Sequence, residues 1–121
     1  MTFQPDAFLT KSPLELLKSE KLNIPLMIGI TDKDGMAMVS NARKKLELFD
    51  NDMSRMIPMS VNINPAGEKA EKLGEEIKAF YFSERGVNNE TISEFVDLMT
   101  DFHFLIPQTI TNEITARYQP E

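Results

Sequence analysis

Apolar residues recur at three- and four-residue steps over most of the chain, and one apolar run reads as a convincing strand. That run is residues 24–31, IPLMIGIT, bounded by turn-forming residues and free of polar alternation. Such a pattern predicts a strand covered on both faces, as in a parallel sheet. Pro25 is tolerable there because it stands near the strand end. Asp32-Lys33-Asp34-Gly35 follows as a turn, with Gly35 free to take a positive φ.

The other segments read as helices. Residues 1–11 lack periodicity and contain Pro5, so they form an irregular lead-in. Ser12-Pro13-Leu14-Glu15 is a helix start: Ser12 caps, Pro13 suits the first position, and Glu15 can reach back to close a capping box. Leu14 and Leu17 give this helix an apolar side, and it should stop near Leu22 and Asn23. Met38, Ala42, Leu46 and Phe49 predict a helix over 36–48. Residues 51–64 are irregular but rich in Met53, Met56, Ile57 and Met59, which should bury against something. The clearest helix carries Ala70, Leu73, Ile77 and Phe80 on one face, with Tyr81 beside them. Gly74 in its middle costs roughly 1 kcal/mol relative to alanine, so a close packing neighbour is expected there. Gly86 ends the segment. Asn89 or Thr91 then caps a helix bearing Ile92, Phe95, Val96, Met99 and Phe102. Pro107 interrupts that helix, and a last one follows with Ile110 and Ile114 one turn apart.

The tally is one strand and about five helices. A lone strand covered on both faces cannot satisfy its own backbone hydrogen bonds, so the 121 residues are expected to be a single incomplete segment of a larger α/β domain. With 41% hydrophobic and 26% charged residues the composition is that of a globular segment. A net charge of −6 gives no electrostatic support to a nucleic-acid role. No stretch approaches the length needed to span a membrane, and residues 1–10 have no basic head followed by an apolar run, so no signal peptide is expected. The absence of cysteine excludes disulfides and cysteine metal sites from this piece and leans toward a cytoplasmic, reducing compartment, although a piece of a secreted chain can also lack cysteine. Asn89-Glu90-Thr91 fits the glycosylation sequon, which matters only in a secreted parent.

Self-contained chemistry is missing. The five glycines, at 29, 35, 67, 74 and 86, never form G-x-S-x-G or a phosphate-binding loop. The single histidine cannot form a metal site with a second one, and the carboxylates fall mostly on wet helix faces.

The run PLELLKSEKLNIPLMIGITDKDGM resembles the type-B carboxylesterase and cholinesterase family, in which a short helix precedes a proline-led apolar strand and then an acid-glycine pair. The later stretch EKAEKLGEEIKAFYFSERGVNNETISEFVDLMTDFHFLIPQTITNEITARY is similar to the same family. There, a helix ends in an aromatic pair, a second ends in Thr/Ser-Asp, and an apolar step leads into proline. The likeness runs from about Pro5 to Tyr118 and is nearest to insect carboxylesterases.

The resemblance implies a partial α/β-hydrolase fold, mostly helical in this piece, with 24–31 as one late strand of the sheet. It implies a serine esterase acting on small-molecule carboxylic esters through an acyl-enzyme, without metal or organic cofactor, whose nucleophile precedes this segment and whose histidine follows it. Asp34 falls where the family keeps its triad acid, which accepts the second ring N–H of the histidine. The family generally has glutamate there, one methylene longer. That departure favours an alternative, a non-catalytic cholinesterase-like adhesion protein. The resemblance places His103 and Phe104 near the acyl or alcohol pocket, with Met38 on the same wall. An ordinary core role is the alternative for Met38 and Phe104, and His103 is not expected to be the catalytic histidine.

Overall fold

The computed structural model describes residues 8–21 and 24–119. Among the described residues six α-helices follow one another: α1 (Pro13–Ser19), α2 (Met36–Ala42), α3 (Leu46–Asn51), α4 (Glu68–Phe82), α5 (Ile92–Thr100) and α6 (Ile106–Tyr118). Short 3-10 turns punctuate them at Arg43–Lys45, Met53–Met56, Met59–Val61, Ser83–Arg85 and Asn89–Thr91. A π-helical turn, Asp101–Leu105, separates α5 from α6 in sequence. Residues 30–105 form one compact unit; the described parts of 1–29 and 106–121 form another.

Among the described residues there is no strand. This corrects the expectation over 24–31: residues 25–31 carry no regular secondary structure, and Ile24, Leu26, Ile28 and Ile30 are exposed, with Met27 at 99%. A strand exists only through inter-strand hydrogen bonds. The described residues offer the run no partner, so its apolar pattern alone cannot make it one.

In the 30–105 unit the core gathers Val39, Leu46, Met53, Met56, Phe82, Val87, Phe95, Val96, Leu98 and Met99. Phe82 and Phe95 are fully buried, 6.4 Å apart between ring centroids, and Phe49 meets Phe95 edge-on at 5.1 Å. Met53 and Met56 lie in the core, as their place in an apolar loop predicts; Met59 is exposed. The predicted helix over 36–48 is broken into α2, a 3-10 turn and α3. α4 buries Ala70, Gly74 and Phe82, with Ile77 and Tyr81 packed against the core. Phe80, assigned to the inner face from spacing, is 80% exposed. The face is turned because Gly74 meets the Met53–Met56 segment: a Cβ there would lie 2.6 Å from the Ser54 nitrogen. That is the close neighbour expected of a mid-helix glycine.

Asn88, rather than Asn89 or Thr91, closes the cap ahead of α5: its side chain accepts from Glu90 N–H at 2.8 Å, and Thr91 Oγ1 accepts from Asn88 N–H at 3.0 Å. Gly86 takes φ 66°, a value that suits glycine. Asp50 ties this corner to the core, accepting from Val87 N–H at 2.7 Å and pairing with Lys78 at 2.7 Å. These bonds, Lys78 first and Val87 next, hold its carboxyl below the ordinary range.

In the other unit, the capping box of α1 forms as its sequence predicts, with Ser12 N–H donating to Glu15 at 3.0 Å and Ser12 Oγ accepting from Glu15 N–H. α1 ends at Ser19, and the stop expected at Leu22 and Asn23 lies outside the described residues. α1 packs on α6, and Gln119 Nε2 donates to the carbonyls of Leu17 (2.7 Å) and Glu20 (2.6 Å). Pro107 is the second residue of α6, directly after the π-helical turn that ends α5, close to where the interruption is expected.

Candidate functional site

The Asp34 turn is built locally and then fastened at a distance. Within it, the Asp34 carboxylate reaches back three residues, accepting from Thr31 N–H at 2.9 Å and from the Thr31 hydroxyl. Short acidic side chains favour such turns because they satisfy nearby backbone donors. Thr31, by its hydroxyl first and its N–H second, holds the Asp34 carboxyl below the ordinary carboxylate range. The turn then runs into α2 through Met36 N–H to Lys33 O (2.9 Å) and Met38 N–H to Gly35 O (3.0 Å).

The fastening is to the C-terminal end of α5. Gly35 N–H donates to Thr100 Oγ1 at 3.0 Å, and the Thr100 hydroxyl donates to Val96 O at 2.8 Å. Gly35 is itself buried: a Cβ would lie 2.4 Å from Thr100 N and 2.6 Å from Val96 O. Its φ is −60°, so the positive φ expected from the D-K-D-G pattern is not adopted. The glycine serves close approach to α5. Lys33 adds an ion pair with Asp97 one helical turn earlier, which raises the lysine's pKa.

Met38 lies in the first turn of α2 and is 40% exposed, while its neighbour Val39 turns into the core. His103 is exposed on the π-helical turn, edge-on to Phe102 at 4.8 Å and near Phe104 at 6.4 Å. Phe104 is half-buried. The contact of α2 with α5 brings Gly35, next to Asp34 in sequence, to Thr100, with His103 and Phe104 three and four residues further along the chain. Asp34 has its hydrogen bonds with Thr31, not with His103. Three cavities of this unit lie away from the Asp34 turn: one of about 450 Å³ among Asp50, Asp52, Ser54, Glu71, Gly74 and Lys78, one of about 350 Å³ among Arg43, Glu47, Val87 and Asn89, and one of about 240 Å³ among Ile57, Pro58, Met59, Ile63 and Ala70.

Three side chains around this end escaped the sequence reading. Thr31 and Thr100 have been described. The third, Tyr81, donates from its hydroxyl to Asp101 Oδ2 at 2.5 Å, and burial, with Asp101 next, raises the phenol's pKa above its ordinary range. Thr31 stands three residues before Asp34, a spacing that suits a side-chain-closed turn and could have been noticed. Nothing in the sequence announces the pairing of Thr100 with a residue 65 positions away.

Neither the curated proteins nor the solved structures provide a match. The family comparison does: the model of the carboxylesterase family matches residues 1–120. The match takes in the apolar run, the Asp34 turn and the helices down to α6, and the chain belongs to the carboxylesterase family.

Proposed function

We propose that this chain is an interior segment of a serine carboxylesterase of insect type, and that Asp34 is its triad acid. Family membership supports ester hydrolysis by the full protein. The observation that carries the assignment of Asp34 is its setting: a carboxylate directly after the apolar run, directly before a buried glycine, and held in its ionised form by Thr31. In the complete enzyme a serine outside these residues attacks the ester carbonyl, a histidine takes its proton, and Asp34 accepts the second ring N–H and stabilises the imidazolium. Water then hydrolyses the acyl-enzyme. No metal or organic cofactor enters this chemistry. Met38, His103 and Phe104 line the wall of the acyl or alcohol pocket, which other parts of the parent complete. The exposed apolar run supports reading these residues as part of a larger fold whose remaining portions cover it.

The test is turnover in the full-length protein. Asp34→Asn keeps the size but loses the charge and favours the wrong histidine tautomer; a fall of about ten-thousandfold in kcat is expected by analogy with serine protease triads. Asp34→Glu restores the family's usual reach and should retain or raise turnover. Near-normal kcat in Asp34→Asn would show that the carboxylate comes from elsewhere. The 121-residue chain alone should be inactive on a chromogenic short-chain ester, since it contains no G-x-S-x-G.

A second reading rests on one observation, aspartate in place of the family's glutamate. In it the parent is a non-catalytic, cholinesterase-like binding protein. Absence of turnover in both the natural full-length protein and Asp34→Glu would favour it.

A further inference from the structure

We infer that Thr100 is a positioning residue for Asp34, acting through the Gly35 backbone. This rests on the assignment of Asp34 as triad acid, and the experiment below separates the two. Thr100 is 4% exposed and makes two opposed hydrogen bonds: its oxygen accepts from Gly35 N–H at 3.0 Å while its hydroxyl donates to Val96 O at 2.8 Å. The second bond orients the first, because a hydroxyl whose proton is committed to Val96 presents its lone pairs to Gly35. Threonine back-bonding to the carbonyl four residues earlier is ordinary within a helix. Its further use as an acceptor ties α5 to a loop 65 residues away.

The consequence for Asp34 is geometric. Residue 34 is joined by one peptide unit to the N–H that Thr100 holds, and Gly35 lies flush against the α5 backbone with no room for a Cβ. Asp34 is one methylene shorter than the glutamate usual in the family. A shorter acid has less side-chain reach to make up for a displaced backbone, so the register of the turn on α5 matters more here than with glutamate. Thr31 shapes the carboxylate within the turn; Thr100 sets where the turn sits.

The experiment uses the full-length enzyme. Thr100→Val preserves the shape and removes both hydrogen bonds. Thr100→Ser preserves the hydroxyl. Each is made alone and in the Asp34→Asn background, with kcat, KM and melting temperature measured on a chromogenic short-chain ester. Misplacement of a catalytic group by about 1 Å can cost on the order of a hundredfold. Thr100→Val should therefore lower kcat about ten- to hundredfold with KM nearly unchanged, and Thr100→Ser should restore it. In the Asp34→Asn background Thr100→Val should have no further effect, since there is no carboxylate left to place. A kcat for Thr100→Val within about twofold of the natural enzyme, or an equal loss in both backgrounds, overturns the inference and leaves the Asp34 assignment standing. Full turnover in Asp34→Asn overturns that assignment and the inference with it. Should Thr100→Val not fold, Thr100→Cys replaces the hydroxyl by a weak acceptor of similar size; unchanged kcat in the folded Cys variant overturns the inference equally.

Discussion

Helices α1 and α6 pack against each other without burying any of their described residues, whereas α5 buries Phe95, Val96, Leu98, Met99 and Thr100. Both units are helical and both have well-formed helix starts, so helix formation does not separate them. Burial does. In α6, Ile106 and Ile110 remain exposed, and the helix uses Thr111 and Thr115 to bond back to its own carbonyls at 2.8 Å. In the 30–105 unit, aromatic and methionine side chains from five elements meet in one core. The lesson is that local signals are sufficient for a helix but not for its stability, which comes from an apolar face finding a partner.

The strongest way to sharpen this contrast is a pair of truncations. Phe95→Ala should cost about 3–5 kcal/mol, the usual range for a buried phenylalanine, and abolish slow amide exchange throughout 92–100. Ile110→Ala should cost about 0.5 kcal/mol, as for a half-exposed side chain away from a core. Urea unfolding with residue-resolved exchange measures both. Equal costs would break the distinction.

Glycines give the next contrast. Gly35→Ala drives a methyl into the Thr100 and Val96 backbone and should cost about 1–3 kcal/mol by overpacking. At Gly29 nothing lies within 4 Å of such a methyl, so Gly29→Ala should stay within about 0.5 kcal/mol. A shift in melting temperature for Gly29→Ala as large as for Gly35→Ala would mean that the apolar run is packed in solution.

Acid should separate the two corners more mildly. Asp50 has a folded pKa below its unfolded value, so the Lys78 and Val87 bonds contribute stability above the unfolded value of 3.8. That contribution is lost as pH falls through the depressed folded value. The pair is partly exposed, so roughly 1 kcal/mol is at stake. Asp50→Asn should flatten the acid limb of a stability–pH curve; an unchanged limb would sink the assignment. A similarly small effect, confined to one helix, is expected from Ser12→Ala. Loss of the α1 cap costs about 0.5–1 kcal/mol locally and should leave exchange in 30–105 unaltered.

The start of α1 was legible because its causes lie within four residues. Ser12 with Glu15 follows from local chemistry, whereas the neighbour expected at Gly74 comes from Ser54, twenty residues away. Phe80 misled because spacing alone places it near the face of Ala70 and Ile77, and only the approach of Ser54 to Gly74 selects the face that is buried. For the candidate site, Asp34 is singled out by the family resemblance and not by its local pattern, which by itself reads as a plain turn; Thr31, three residues earlier, stands at a spacing that suits a side-chain-closed turn.

What the sequence determined by itself is that most segments are helical and that α1 starts with a capping box at Ser12, because those are contests among neighbouring backbone donors and acceptors. It also carried the family, through the order of its motifs. Whether residues 24–31 become a strand could not be decided that way, since a strand is a relation between segments and none of the described residues pairs with this one. The tertiary structure alone decided that Gly35 is a contact with α5 and not a positive-φ hinge, and that Thr100 meets it. Residues far apart in sequence share no local pattern; only the packing of α2 on α5 brings that hydroxyl within 3.0 Å of that amide.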